Sequence, residues 1–101
     1  MMNPKIDFPQ KELNEFCLRN RIVRLSFFGS VLRDDFNDES DVDVLVEFDP
    51  NARIGLIRLA GMEIELGHLL RRRVEIHPQK GINPRFKEEV IQQAQMQYEQ
   101  A

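Results

Sequence analysis

The stretch Phe27-Phe28-Gly29-Ser30, followed after ten intervening residues by Asp41-Val42-Asp43 at the head of the apolar run Val44-Leu45-Val46, decides how this chain folds. A glycine-serine turn after an apolar strand, then two carboxylates two residues apart on a second strand, meets the needs of a site for a metal-bound nucleotide. Gly29 lets the backbone approach a ligand without interference from a Cβ, and a helix opening at Ser30 points free N–H groups and a positive dipole end at phosphate oxygens. Side chains alternate across a strand, so Asp41 and Asp43 project from one face while Val42, Val44, Val46 and Phe48 project from the other. Few, hard oxygen ligands with room left for water and phosphate suit Mg²⁺. At about 6% usage per residue type, four fixed residues at fixed offsets arise by chance in a chain of this length about once in a thousand.

Working outward, the apolar residues Leu13, Phe16 and Cys17 fall three and four apart after Pro9 and predict a first helix ending near Asn20. Ile22 to Phe28 reads as a strand with Val23, Leu25 and Phe27 on one face. A short helix is expected over Ser30 to Asp35 and a loop over Phe36 to Ser40. Asp41 to Phe48 is the second strand, with Asp41, Asp43, Leu45 and Glu47 along its open side. Asp49-Pro50-Asn51 breaks it. A long amphipathic helix is predicted from about Gly55 to Arg72, with Leu56, Leu59, Met62, Leu66, Leu69 and Leu70 as its stripe. Gly61 and Gly67 weaken it slightly and suggest close packing against a neighbour.

Arg71-Arg72-Arg73 complements the dipole at the end of that helix, with phosphate or partner binding as the alternative. Val74 to His77 is a third strand, with Val74 and Ile76 inward and Glu75 and His77 on the opposite face. His77 reads as structural. After a turn over Pro78 to Ile82, Asn83 as cap and Pro84 at the first position start a last helix, whose Phe86, Val90, Ile91, Ala94 and Tyr98 are expected to pack on the core. The fold class is therefore α/β (α+β): a mixed three-stranded sheet flanked by helices. The short link between the first two strands predicts an antiparallel pair, and the long helix before the third predicts a parallel crossover.

The chain has 101 residues, 42% hydrophobic and 31% charged. It reads as one domain over 1–101, with 1–7 flexible, and a chain of this size buries roughly 65% of its unfolded surface. No apolar run approaches the roughly 18 residues needed to span a membrane, and the first ten residues do not resemble a signal peptide, so a cytoplasmic protein is expected. The single cysteine, Cys17, excludes an internal disulfide and reads as a small core hydrophobe. A net charge of −3 argues against stable nucleic-acid binding, which usually demands a strongly basic domain. The acidic run Asp34 to Glu39 reads as a solvated loop.

Phe28-Gly29-Ser30-Val31-Leu32-Arg33 with Ser40-Asp41-Val42-Asp43-Val44-Leu45-Val46 resembles the signature of minimal nucleotidyltransferases, the small members of the DNA polymerase beta superfamily. The resemblance runs from about Leu13 to Tyr98 and is sharpest from Phe28 to Phe48. It implies a polymerase-beta-like fold and transfer of a nucleoside monophosphate from a nucleoside triphosphate to a hydroxyl, with ATP as substrate and two Mg²⁺ ions. On that reading Gly29 and Ser30 hold the outer phosphates, Arg33 reaches a phosphate, and Asp41 and Asp43 ligate metal. Glu75 stands where the family normally has an aspartate that ligates the catalytic metal and helps deprotonate the attacking hydroxyl. Many single-domain relatives are antitoxins that adenylylate a tyrosine of a HEPN-domain ribonuclease toxin. The alternatives are transfer to a small molecule, as in longer relatives, and a non-catalytic module that neutralises its partner by occlusion.

Overall fold

A computed structural model of the protein describes residues 8–29 and 41–100. Chain order is α1 (Gln10–Arg19), β1 (Ile22–Phe28), β2 (Val42–Phe48), α2 (Leu56–Leu70), β3 (Val74–Pro78), a single 3₁₀ turn (Gln79–Gly81), α3 (Pro84–Gln93) and β4 (Gln95–Glu99). The short helix expected over Ser30 to Asp35, the loop over Phe36 to Ser40 and the flexible segment 1–7 lie outside the described residues. The strands form one sheet in the order β3-β2-β1-β4. β1 pairs antiparallel with β2, and β2 pairs parallel with β3, both as the connection lengths predict.

One face of the sheet carries the core. Leu25 and Phe27 of β1, Val42, Val44 and Val46 of β2, and Val74 and Ile76 of β3 are buried against Leu13, Phe16 and Cys17 of α1 and Met62, Leu66 and Leu70 of α2. These residues recur at two-residue steps on the strands and at three- and four-residue steps on the helices, the two periods that put apolar groups on one side of each element. A shift of register between Ile22 and Arg24 moves Ile22 into the core and leaves Val23 half-buried, so the core face is Ile22, Leu25 and Phe27 and begins one residue earlier than the expected Val23-Leu25-Phe27. Leu45 lies on the other face, as expected, but is itself buried, with Ser26 and His77 opposite it on the flanking strands.

The sheet has four strands, and the three-stranded expectation is corrected by β4. The last helix stops at Gln93: Ala94 donates its N–H to the Val90 carbonyl and then turns extended at φ −66°, ψ 140°. Gln95 to Glu99 pairs antiparallel with the otherwise open edge of β1, placing Tyr98 opposite Leu25 and inside the core. Glutamine, methionine and glutamate favour helix in isolation, but satisfying a strand's unpaired backbone groups and burying an aromatic ring outweighs that weak preference. None of α3 is buried, and Phe86 and Ile91, expected in the core, are exposed.

The second helix is shorter than the expected Gly55 to Arg72. Leu56 lies outside the stripe at 84% exposure, while Met62, Leu66 and Leu70 form its buried side. It ends where Arg71 takes a left-handed conformation at φ 56° and Arg72 N–H reaches back to the Gly67 carbonyl at 3.0 Å. A Cβ on Gly67 would lie 2.9 Å from the Arg72 carbonyl oxygen, so the tight reversal into β3 requires glycine there. Nothing comparable constrains Gly61, whose absent Cβ faces open space. The asparagine cap is as predicted: Arg85 N–H donates to Asn83 Oδ1 at 2.9 Å.

Cys17 is fully buried, and burial pushes its thiol pKa up to about 12. The folded form therefore holds the proton where the unfolded chain, near 8.5, has lost it. Stability from this group is complete below pH about 8.5 and falls as pH rises from there towards 12. An alkylating reagent at pH 8 is expected to label Cys17 only after denaturation. Tyr98→Ala should lower stability by about 3 kcal/mol in urea unfolding, the usual scale for deleting a buried ring, whereas Phe86→Ser should stay within about 0.5 kcal/mol. A single helix running through Tyr98 would give the two variants similar costs.

Candidate active site

The face of the sheet opposite the core carries the candidate site residues. β2 and β3 pair in a register that sets Asp43 beside Glu75 and Leu45 beside His77, while Phe28 stands opposite Asp43 on β1. Parallel strands lie about 4.8 Å apart, so carboxylates at registered positions on neighbouring strands converge without any special loop. Asp43, Glu75 and His77 each offer one ligand atom, and the three atoms lie within 4.8 Å of one another. His77 Nε2 is 3.3 Å from Asp43 Oδ1 and 3.2 Å from Glu75 Oε1. Phe28 meets the imidazole edge-on, with ring centres 5.1 Å apart and planes at 74°. Asp43 is half-buried, whereas the Glu75 side chain is 62% exposed.

Gly29 has a function at this point that its place in the motif already suggests. Its φ is +77°, a region that costs an L side chain strain, and a Cβ there would fall 2.5 Å from Asp43 Oδ2. The bare backbone thus leaves the Asp43 carboxylate in place beside the turn. Asp41 stands apart from the cluster, just before β2. Its Oδ1 accepts a hydrogen bond from Arg73 Nε at 2.8 Å, between the two chain segments that lead into the parallel pair. Val42 N–H also donates to the Arg73 carbonyl at 2.9 Å. The structure therefore brings Gly29, Asp43 and Glu75 together and sets Asp41 at the rim. Ser30 and Arg33 lie outside the described residues.

His77 was read from sequence as structural, yet it contacts both carboxylates. The signal was present, since it sits two residues after Glu75 and shares its face. Next to it a cavity of about 290 Å³ is lined by Phe28, His77, Ile82 and Val90 among others. Further along the same face, Arg24 donates to Glu47 at 3.0 Å and to Glu99 at 3.1 Å, tying β2 and β4 across β1. These exposed pairs contribute little individually.

A family model described as a nucleotidyltransferase domain matches residues 10–96. The chain belongs to the nucleotidyltransferase domain family. A protein of Methanocaldococcus jannaschii, MJ0435, assigned as a protein adenylyltransferase, is 28% identical over 85 residues, covering 84% of this chain and 89% of that one. A solved structure assigned as a minimal nucleotidyltransferase is 34% identical, with a TM-score of 0.70 over 84% of this chain and 85% of that chain. A chain from the complex of tri-AMPylated Shewanella oneidensis HEPN toxin with MNT antitoxin superposes with a TM-score of 0.65 at 14% identity, over 89% of this chain and 69% of its own. That likeness is one of fold.

The donor set suits a divalent cation: two carboxylates and an imidazole within 4.8 Å, with the glycine leaving space beside one of them. Gly29→Ala is expected to cost about 1–2 kcal/mol from the positive φ and to displace the Asp43 carboxylate. The check is urea unfolding together with divalent-cation binding, and an alanine variant that binds cations as the wild type does would contradict the close-approach argument.

Proposed function

We propose that this nucleotidyltransferase transfers AMP from ATP to a hydroxyl, a tyrosine, of a partner HEPN-domain ribonuclease toxin, and acts in the cytoplasm as its antitoxin. The single observation that carries this is the convergence of Asp43 and Glu75 from adjacent parallel strands, beside the bare backbone of Gly29. Gly29 and Ser30 hold the outer phosphates, Arg33 reaches one of them, and Asp41, Asp43 and Glu75 would hold two Mg²⁺ ions. When bound, the ions neutralise charge on the attacking and leaving oxygens. The acceptor oxygen forms a bond to the α-phosphorus as the bond to the pyrophosphate oxygen breaks. Glu75 accepts the hydroxyl proton, and its exposure gives that proton a route to water.

Support for a protein acceptor comes from two sides. The relative assigned as a protein adenylyltransferase is matched over 89% of its length, and a chain from the AMPylated toxin–antitoxin complex has the same fold. The Glu75 side chain is also 62% exposed, accessible to a side chain presented by a large partner.

A second reading, a module that binds and occludes without transfer, is favoured by two features: glutamate at position 75 in place of the family's usual aspartate, and the Arg73 hydrogen bond on Asp41. Incubation with α-labelled ATP and Mg²⁺, with and without the partner toxin, separates them. Label is expected on the toxin. Toxin inhibited by stoichiometric protein with no label would establish occlusion, and label on an added aminoglycoside but never on protein would establish a small-molecule acceptor. Glu75→Gln should lower transfer by about 10² or more, because it removes the proton acceptor while keeping shape. ATP binding in that variant should fall much less, and Asp41→Asn with Asp43→Asn should abolish metal-dependent ATP binding.

A further inference from the structure

We propose that Asp43, Glu75 and His77 form a mixed carboxylate–imidazole site for a divalent transition cation of the Mn²⁺ and Co²⁺ class, which binds there in preference to Mg²⁺ with His77 Nε2 as its nitrogen ligand. The inference rests on the reading of this position as one of the transferase's two ion sites; it replaces Mg²⁺ at that one site and adds a further ligand.

The first support is the arrangement of atoms around His77. One Nε2 faces two carboxylate oxygens, at 3.2 Å and 3.3 Å, on two different strands. A neutral imidazole has at most one N–H there, which can point at only one acceptor. One N–H therefore serves only one of the two carboxylates, whereas a cation placed among the three ligand atoms would engage them all. Ligand atoms bound at about 2.0–2.2 Å in neighbouring coordination positions lie about 3 Å apart, close to the two separations from His77 Nε2, and all three atoms lie within 4.8 Å of one another.

The second support is that the imidazole is held in place. Phe28 packs edge-on against it from β1, and the β2–β3 register puts His77 one step beyond Glu75 on the same face. The His77 side chain is only 34% exposed. The ring is thus poised before any ion arrives.

The third support is the chemistry of selection. Mg²⁺ prefers an all-oxygen shell and gives up water reluctantly, whereas first-row transition ions accept an imidazole nitrogen beside carboxylates, Mn²⁺ least strongly and Co²⁺ more so. Asp41 lies outside the cluster and takes the Arg73 Nε–H, so the third ligand atom beside Asp43 and Glu75 is nitrogen. Glu75 is largely exposed, which leaves the remaining coordination positions open to water or to a phosphate oxygen. The ion that travels with the nucleotide is unaffected by this argument.

The test uses the full, tag-free chain stripped of metal, with neither nucleotide nor partner present. Co²⁺ titration read by visible absorption should give one ion per chain with bands of a nitrogen-and-oxygen shell. Calorimetry should show Mn²⁺ binding at least about tenfold more tightly than Mg²⁺. His77→Gln should weaken Co²⁺ and Mn²⁺ by about 10- to 100-fold and move Mg²⁺ by less than about twofold, the scale expected when a metal-site partner is lost. Glu75→Gln should weaken all three, and circular dichroism checks that both variants fold. Equal Mn²⁺ affinity in wild type and His77→Gln, or no preference over Mg²⁺ in the wild type, would overturn the proposal. Histidine-dependent Co²⁺ binding without any labelled toxin would uphold it while removing the transfer reading, and labelled toxin with histidine-independent binding would do the reverse.

Discussion

Everything at the site depends on the parallel pairing of β2 with β3 in one register. Val42 and Val44 lie beside Val74 and Ile76 on the core face, and the same register fixes Asp43 beside Glu75 on the other. A slip of one residue would turn Glu75 and His77 into the core and Val74 and Ile76 out to water. Burying a carboxylate among valines costs several kcal/mol, while each buried aliphatic side chain contributes about 1.5–3 kcal/mol. The apolar core thus holds the register that the chemistry needs. Met62, Leu66 and Leu70 of the crossover helix press on the core, and the reversal at Gly67 and Arg71 delivers β3 to its place. Glu63 of α2 completes the arrangement, accepting the Ile76 N–H at 2.7 Å on β3, the end strand of the sheet among the described residues.

The parts of the fold that rest on local period were legible. Val42, Val44 and Val46 alternate with Asp43, Leu45 and Glu47, which is enough to predict a strand with one buried face, and the stripe on α2 needs only three- and four-residue spacing. Gly29, Asp43 and Glu75 were legible because each sits at a turn or strand position whose direction follows from that alternation. What escaped was set by pairing across the chain. β4 is written in residues that favour a helix, and only the unpaired edge of β1 makes it a strand. The hydrogen bond from Arg73 to Asp41 joins residues 32 apart in sequence and carries no local trace, although Arg73 stood in view as part of a basic run. His77 was visible on the right face, but its contact with two carboxylates depends on register and on the ring of Phe28.

The two faces of the sheet follow opposite rules. The core face tolerates only apolar side chains of matched size, and its residues come from every strand and from α1 and α2. The opposite face is built from charged and polar groups that partner one another across strands: Asp43, Glu75 and His77 at one end, Arg24, Glu47 and Glu99 towards the other. The half-buried Phe28 and the buried Leu45 lie beside His77 on that face.

The unequal lengths of the two acids fit their positions. Asp43 stands on an inner strand, and its carboxylate already approaches the Gly29 backbone so closely that a Cβ at that glycine would meet Oδ2 at 2.5 Å. A longer side chain at position 43 would run into the turn. Glu75 stands on the edge strand with most of its side chain in solvent, so its extra methylene meets no wall and can bring Oε1 to within 3.2 Å of His77. The glutamate pays for its reach in rotamer freedom, losing more conformational entropy than an aspartate when held by a ligand. The contact with His77 offsets part of that loss by giving the carboxylate a resting place next to Asp43. A longer acid on the edge strand and a shorter one inside are therefore one solution to a single geometric problem, two carboxylates meeting beside a turn that has no room for a side chain.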